Sequence, residues 1–210
     1  MGKSPNGPFG PTNGKIGKLV SYMLRGQSVT RAIGRTKKKR SVAQLAQTGR
    51  IKIVNAFLVP IKGFLNIGFM FEAEGSVLNQ YNIATSYTMK NAIKGEYPNQ
   101  SIDYSKAIVS AGKLKPVNEL NVQEIDGKLE CSWTYDRNAD FAGRNDRTMI
   151  VLLFAASIEP IYFLSGSLRS EGKDVIDLGP NFPTDPCNIY LSFFAEDRQS
   201  VSNSQHFYFS

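Results

Sequence analysis

Leu120-Asn121-Val122-Gln123-Glu124-Ile125-Asp126-Gly127-Lys128-Leu129-Glu130-Cys131-Ser132-Trp133-Thr134-Tyr135 is the stretch that decides the fold of the second half of the chain. Leu129, Cys131, Trp133 and Tyr135 alternate with polar residues, the period of a strand with one face in a core. Asp126-Gly127 lies between two such runs. Both residue types tolerate a positive φ, so the pair suits the two-residue turn whose twist matches that of antiparallel strands. The stretch predicts a hairpin of Leu120–Ile125 and Lys128–Tyr135.

The same period continues to the C-terminus. Further strands are expected at Ala107–Ala111, Met149–Ala156, Ile161–Leu164, Asp174–Asp177, Asn188–Ala195 and Gln205–Phe209. Turn signals separate them at Asn138–Gly143, Glu171-Gly172 and Pro180–Pro186. Short strands at this spacing predict an antiparallel β-sandwich, with Leu129, Trp133, Leu152, Phe154, Leu191 and Phe193 in one core.

Toward the N-terminus the period lengthens. Ser41 is a good N-cap, with Gln44 three residues on. Val42, Leu45, Ile53, Val54, Phe57, Leu58 and Ile61 follow at three- and four-residue spacing, which predicts a helix with one apolar face. Gly49 weakens it, and Pro60 bends or ends it. A second helix is expected from Ser76 to about Ile93, stopped by Gly95, with residues 68–75 as the loop of a helical hairpin.

Before residue 41 the chain is punctuated by Pro5, Gly7, Pro8, Gly10, Pro11, Gly14 and Gly17. Two apolar runs, Ile16–Leu24 and Val29–Ile33, flank Arg25-Gly26-Gln27, a pattern open to a β-hairpin or to an extended arm. This segment alone has too little apolar surface to fold, so it is expected to order against a partner. The chain thus reads as α+β: a basic arm over 1–40, a helical hairpin over 41–98 and a sandwich over 99–210.

Charge sharpens that division. Residues 1–71 hold 13 basic residues and no acid, the first acid being Glu72. The rest holds 12 basic residues and all 18 acids, so the net +7 divides into +13 and −6. Asymmetry of this size marks a polyanion partner or assembly between opposite patches. The candidate contact residues are Lys15, Lys18, Arg25, Arg31, Arg35, Lys37, Lys38, Lys39 and Arg40, with Phe9, Tyr22 and several glycines interleaved. Cations with aromatics and a permissive backbone suit phosphate contact and base stacking. A solvated charge run is the plainer alternative. Lys37–Arg40 also enter a helix N-terminus, where cations are unfavourable, so helix stability does not explain them.

The usual chemistries are missing. His206 is the only histidine and reads as a strand residue. Cys131 and Cys187 form no zinc-ligand spacing and are expected to be two reduced thiols. There is no Gly-x-Ser-x-Gly elbow and no His-Glu-x-x-His helix. Gly10, Gly14, Lys15 and Gly17 fail as a phosphate loop: Phe9 stands where its first glycine belongs, and Ile16 follows the lysine. Asp136 with Asp140, and Asp174 with Asp177, read as solvated turn formers. No cofactor or metal is expected. No run reaches the roughly 18–20 apolar residues of a membrane span, and the N-terminus lacks an apolar signal core. The expected location is the cytoplasm, or a particle assembled there.

Residues 129–133 also resemble the second strand of fibronectin type III and immunoglobulin-like sandwiches, a likeness that implies Leu129, Cys131 and Trp133 face inward. Asn188–Ala195 with Gln205–Phe209 resembles their last hairpin, although Tyr190 falls on the opposite face from Ile189, Leu191 and Phe193. The likeness implies that Cys131 and Cys187 sit on strands facing each other across the sandwich. The whole chain resembles an uncharacterised family, a domain of unknown function found in Bacteroidota. Asn13-Gly14-Lys15-Ile16-Gly17, Arg25-Gly26 with Val29 and Arg31, Lys37-Lys38-Lys39-Arg40 with Ala43-Gln44, and Ser202-Asn203-Ser204 carry that likeness. It implies architecture and no mechanism. The basic, Gly-rich N-terminal stretch is also similar to small phage-encoded proteins.

The leading expectation is a non-enzymatic structural protein of a phage-like particle or filament. In it the sandwich is the rigid body, and the arm ties neighbouring copies or a polyanion. A monomeric cytoplasmic nucleic-acid-binding protein is the alternative. An enzyme working through the sandwich loops is the third class, which a convergent cleft of titratable residues would favour.

Overall fold

The computed structural model describes residues 2–4, 10–34, 38–138, 143–154, 159–179 and 186–210. The chain forms two units, Met1–Ser41 and Val42–Ser210.

The second unit is α+β. Three strands, β6 (Asn121–Ile125), β7 (Lys128–Ser132) and β10 (Lys173–Ile176), form an antiparallel sheet in the order β10-β7-β6. Four more, β8 (Arg147–Phe154), β9 (Ile161–Phe163), β11 (Cys187–Phe194) and β12 (Gln205–Phe209), form a second sheet in the order β12-β11-β8-β9. Asp126 and Gly127 both take positive φ, 52° and 73°, which closes the expected hairpin at Ile125↔Lys128. One core lies between the sheets: Val122, Leu129, Cys131, Trp133 and Ile176 from the first meet Ile150, Leu152, Phe154, Ile189, Leu191 and Phe193 from the second. All six residues expected in that core are there. The expected strand end at Ala155-Ala156, and the turn residues 139–142 and 180–185, lie outside the described residues.

The four-stranded sheet is buried on its other face too. Met149, Val151 and Tyr190 belong to a second core with Val54, Phe57, Leu58, Phe64 and Leu65 from the helices. This is why β8 and β11 read as nearly continuous apolar runs instead of alternating ones. Tyr190, out of register for the sandwich, is fully buried in the helical layer, where its hydroxyl donates to the Tyr104 carbonyl at 2.8 Å.

The helical layer corrects the expected hairpin. Helix α1 (Val42–Leu58) starts one residue after Ser41. Pro60 ends it, as expected, but two further helices follow: α2 (Lys62–Gly68), over a segment given no element, and α3 (Met70–Ala73), inside the expected loop of residues 68–75. Phe64, Leu65 and Phe69 enter the core and hold this corner. The apolar face of α1 is buried only in its second half, since Val42 and Leu45 are exposed while Val54, Phe57 and Leu58 are buried. Helix α4 spans Gln80–Asn91, later than expected, because Asn79 and not Ser76 caps it: its side chain accepts from Asn82 N at 2.8 Å. Gly95, at φ 78°, turns the chain from β4 (Ile93–Lys94) toward β5 (Ser101–Ile102). Among the described residues, no single helix is long and apolar enough to cross a membrane.

Ala107–Ala111 is not a strand. The segment is buried at Ala107, Val109 and Ser110, yet its hydrogen bonds go piecemeal to Gly68 O, Ser204 Oγ and the Ser202 carbonyl. Val109 and Ser110 are buried in succession, which is a connector's pattern and not the alternation of a half-buried strand.

The first unit holds a small antiparallel sheet, β1 (Gly14–Ile16), β2 (Leu19–Leu24) and β3 (Gln27–Ala32), in that order. The two apolar runs thus form a hairpin, turned by Arg25 and Gly26 at φ 53° and 79°. Lys3 bridges to Asn13 beside β1.

Candidate partner-contact surface

Register divides the sheet of the first unit into two unlike faces. Lys15, Val20 and Arg31 lie opposite one another across the three strands, and Tyr22 pairs with Val29 on the same side. The Arg31 guanidinium sits 6.0 Å from the centre of the Tyr22 ring, a cation–π distance. The other side carries Ile16 beside Leu19, Met23, and a Ser21–Thr30 hydroxyl pair at 2.8 Å. Ile16, Leu19 and Met23 are about half exposed, at 50%, 46% and 52%. Among the described residues of this unit only Ser21 is buried.

The expected contact residues are distributed as follows. Lys15 and Arg31 share the cationic face; Lys18 is in the β1–β2 turn and Arg25 in the β2–β3 turn. Lys38, Lys39 and Arg40 are exposed in the approach to α1. Arg35, Lys37 and Phe9 lie outside the described residues. The apolar second face was hidden in the sequence, because Ile16, Leu19 and Met23 are not evenly spaced. Only the turn at Gly17-Lys18, which places Ile16 opposite Leu19, brings them together. The charge separation also sharpens at the unit boundary: residues 1–41 carry ten basic residues and no acid, +10, and residues 42–210 carry 15 basic and 18 acidic, −3.

In the second unit a cleft beside β12 gathers Lys94, Asp103, Ser105, Asn188 and His206. Its serine, acid, asparagine and histidine side chains are engaged with local partners. The Ser105 hydroxyl donates to Asp103 Oδ1 at 2.6 Å, a turn-type bond two residues apart, and His206 Nε2 bonds Asn188 Oδ1 at 2.8 Å. Serine and histidine are not bonded to each other. His206 stacks on Tyr190 with ring centres 5.0 Å apart. Burial lowers its pKa below the usual 6.5, against an opposing pull from Asp103. The unfolded chain therefore takes up this proton at a higher pH than the folded one. Stability is expected to be full above pH 6.5 and to fall as pH drops through the folded pKa. Denaturant midpoints measured between pH 7.5 and 5 check this, and His206→Gln should flatten that part of the profile.

Two sequence expectations about acids and thiols are settled by position. Asp177 is an exposed turn former, bonded to Gly179 N and to Lys128 Nζ at 2.9 Å. Asp174 instead is buried and accepts from Thr148 Oγ1, Ser167 N and Ser167 Oγ. It is a structural anchor, and its place on a strand within a polar run concealed this. Asp140 lies outside the described residues. Cys131 and Cys187 are free and buried on opposite sheets, and burial pushes their thiols up to about 12 and about 11. Among the described residues no group of three or more His, Cys, Asp or Glu is placed to hold a metal ion.

The chain is thus an α+β protein with a basic, two-faced N-terminal sheet. It belongs to the DUF6266 family of unknown function, whose pattern matches residues 11–208. No curated protein matches it.

Proposed function

We propose that this chain is a non-enzymatic assembly protein whose N-terminal sheet joins it to a neighbouring copy. The observation that carries this reading is the half-exposed apolar trio Ile16, Leu19 and Met23 on a sheet that, among the described residues, buries only Ser21. Fully burying such a side chain is worth about 1.5–3 kcal/mol, so covering three that are half exposed contributes on the order of 1 kcal/mol each. A polyanion alone would leave that face in water, which favours a protein partner. Opposite net charges on the two units supply complementarity between copies, +10 against −3. The seven strands, shared three against four with Leu129, Cys131 and Trp133 inward, support the likeness to fibronectin type III sandwiches as a rigid body.

The cationic face favours a second contact. Lys15 and Arg31 flanking Tyr22 suit a phosphate backbone with a stacked base, so nucleic acid is the alternative partner. Light scattering after nuclease treatment separates the two. Assembly through the apolar face predicts a mass that is a multiple of 23.3 kDa and persists in about 1 M salt, where charge contacts are screened beyond about 3 Å. A monomer that loses nucleic acid in the same salt would replace this reading with the alternative.

A further inference from the structure

A cavity of about 480 Å³ opens at the end of the four-stranded sheet, beside the α2–α3 corner. Its size lies within the roughly 300–1,000 Å³ of small-molecule sites. Its lining joins the apolar Ile67, Met70, Leu164 and Phe194 to the guanidinium-bearing Arg147 and Arg198. We infer that this cavity binds a small amphiphilic carboxylate, its chain on the apolar residues and its head between the two guanidinium groups. The inference is independent of the assembly reading.

Arg198 is held in place by a tight turn. Ala195 N donates to Ser200 O at 2.9 Å, and Arg198 N donates to Ala195 O at 3.0 Å, with Arg198 itself at φ 57°. That left-handed conformation is uncommon outside glycine. Among the described residues, its guanidinium has no hydrogen-bond or ion-pair partner. Glu196, the acid in the lining, forms no ion pair with it among the described residues, and its Oε2 accepts from Asn145 Nδ2 at 2.7 Å. Arg147 spends one donor on Gly166 O at 3.1 Å and keeps others for a ligand, since a guanidinium has five. Met70 and Leu164 are 38% and 37% exposed, so apolar surface is left uncovered next to unpaired positive charge. A carboxylate matches the guanidinium fork and costs less to desolvate than a doubly charged phosphate. The basic sheet of a neighbouring copy is a poor occupant, because it would bring like charge to this rim.

Calorimetric titration of the full chain with decanoate and with decan-1-ol tests the inference. Saturable one-to-one binding of decanoate is expected, with the alcohol weaker by about tenfold or more, as loss of a charged hydrogen bond implies. Arg198→Gln should lower decanoate affinity to the level of the alcohol and leave the alcohol unchanged. Met70→Trp, which fills the cavity, should remove both. No saturable decanoate uptake by chain that still shows its unfolding transition would overturn the inference. So would equal binding of acid and alcohol, or an Arg198→Gln variant that binds like the parent.

Discussion

Trp133→Ala is expected to lower the unfolding free energy by about 3–5 kcal/mol, the usual cost of emptying a buried large aromatic site. Trp133 stands edge-on to Phe193 across the sandwich, ring centres 5.5 Å apart, and its indole N–H donates to the Arg169 carbonyl at 2.9 Å. Truncation removes the packing and takes the shorter of two bonds from that carbonyl, which keeps only Gly172 N at 3.3 Å. For a chain of this size each kcal/mol shifts the melting temperature by about 2–4 °C, so thermal melts should fall by roughly 6–20 °C. Trp133→Phe keeps most of the ring but not the N–H, and should cost clearly less. An unchanged midpoint for Trp133→Ala would refute the register on which the sandwich rests.

The second large effect is expected at Arg169→Met. Arg169 and Asp146 are each only 4% exposed, with Nη1 and Oδ2 3.4 Å apart. The guanidinium also donates to Pro116 O at 3.2 Å and lies 4.4 Å from the Phe193 ring centre. It thus joins the connector before β6 to the loop before β8 and to the sandwich core. Burial pushes the Asp146 carboxyl up, and the neighbouring Arg169 opposes that push. Removing the arginine leaves a buried acid without its cation, a loss of about 3–5 kcal/mol. The double variant Asp146→Asn with Arg169→Met should recover part of this, because no unpaired charge then remains. Urea midpoints of the two single variants and the double variant give the coupling directly. A double variant weaker than Arg169→Met alone would contradict the ion-pair explanation.

How much of this was legible in the sequence depends on the range of the interaction. The β6–β7 turn was readable because Asp126-Gly127 carries its backbone preference locally, and the same holds for Pro60; Gly95 does not stop the second helix as expected, since α4 ends at Asn91 and Gly95 turns the chain between β4 and β5. The strands β8 and β11 were found as apolar runs, but their second covered face was not, because only the packing of α1 and α2 shows what Met149, Val151 and Tyr190 touch. Ala107–Ala111 reads as a strand because it is a short, mostly apolar run, whereas its hydrogen bonds go to separate partners and not along one neighbouring strand. Helices α2 and α3 were missed because Phe64, Leu65 and Phe69 are held there by the sheet, across a gap of more than 80 residues in sequence. At the candidate surface, the basic residues were visible as composition. Their division from Ile16, Leu19 and Met23 onto opposite faces is a matter of register, which depends on the turns.

On the proposed reading, the apolar face of the N-terminal sheet joins copies of the chain. Light-scattering mass of the full chain, compared with Leu19→Lys/Met23→Lys and with Lys15→Gln/Arg31→Gln, tests it most directly. Both pairs are exposed, so neither should disturb the fold of the second unit. An oligomer is expected for the parent and for Lys15→Gln/Arg31→Gln, and a monomer of 23.3 kDa for Leu19→Lys/Met23→Lys. A parent chain that is already monomeric, or an oligomer that survives two lysines on that face, would contradict it.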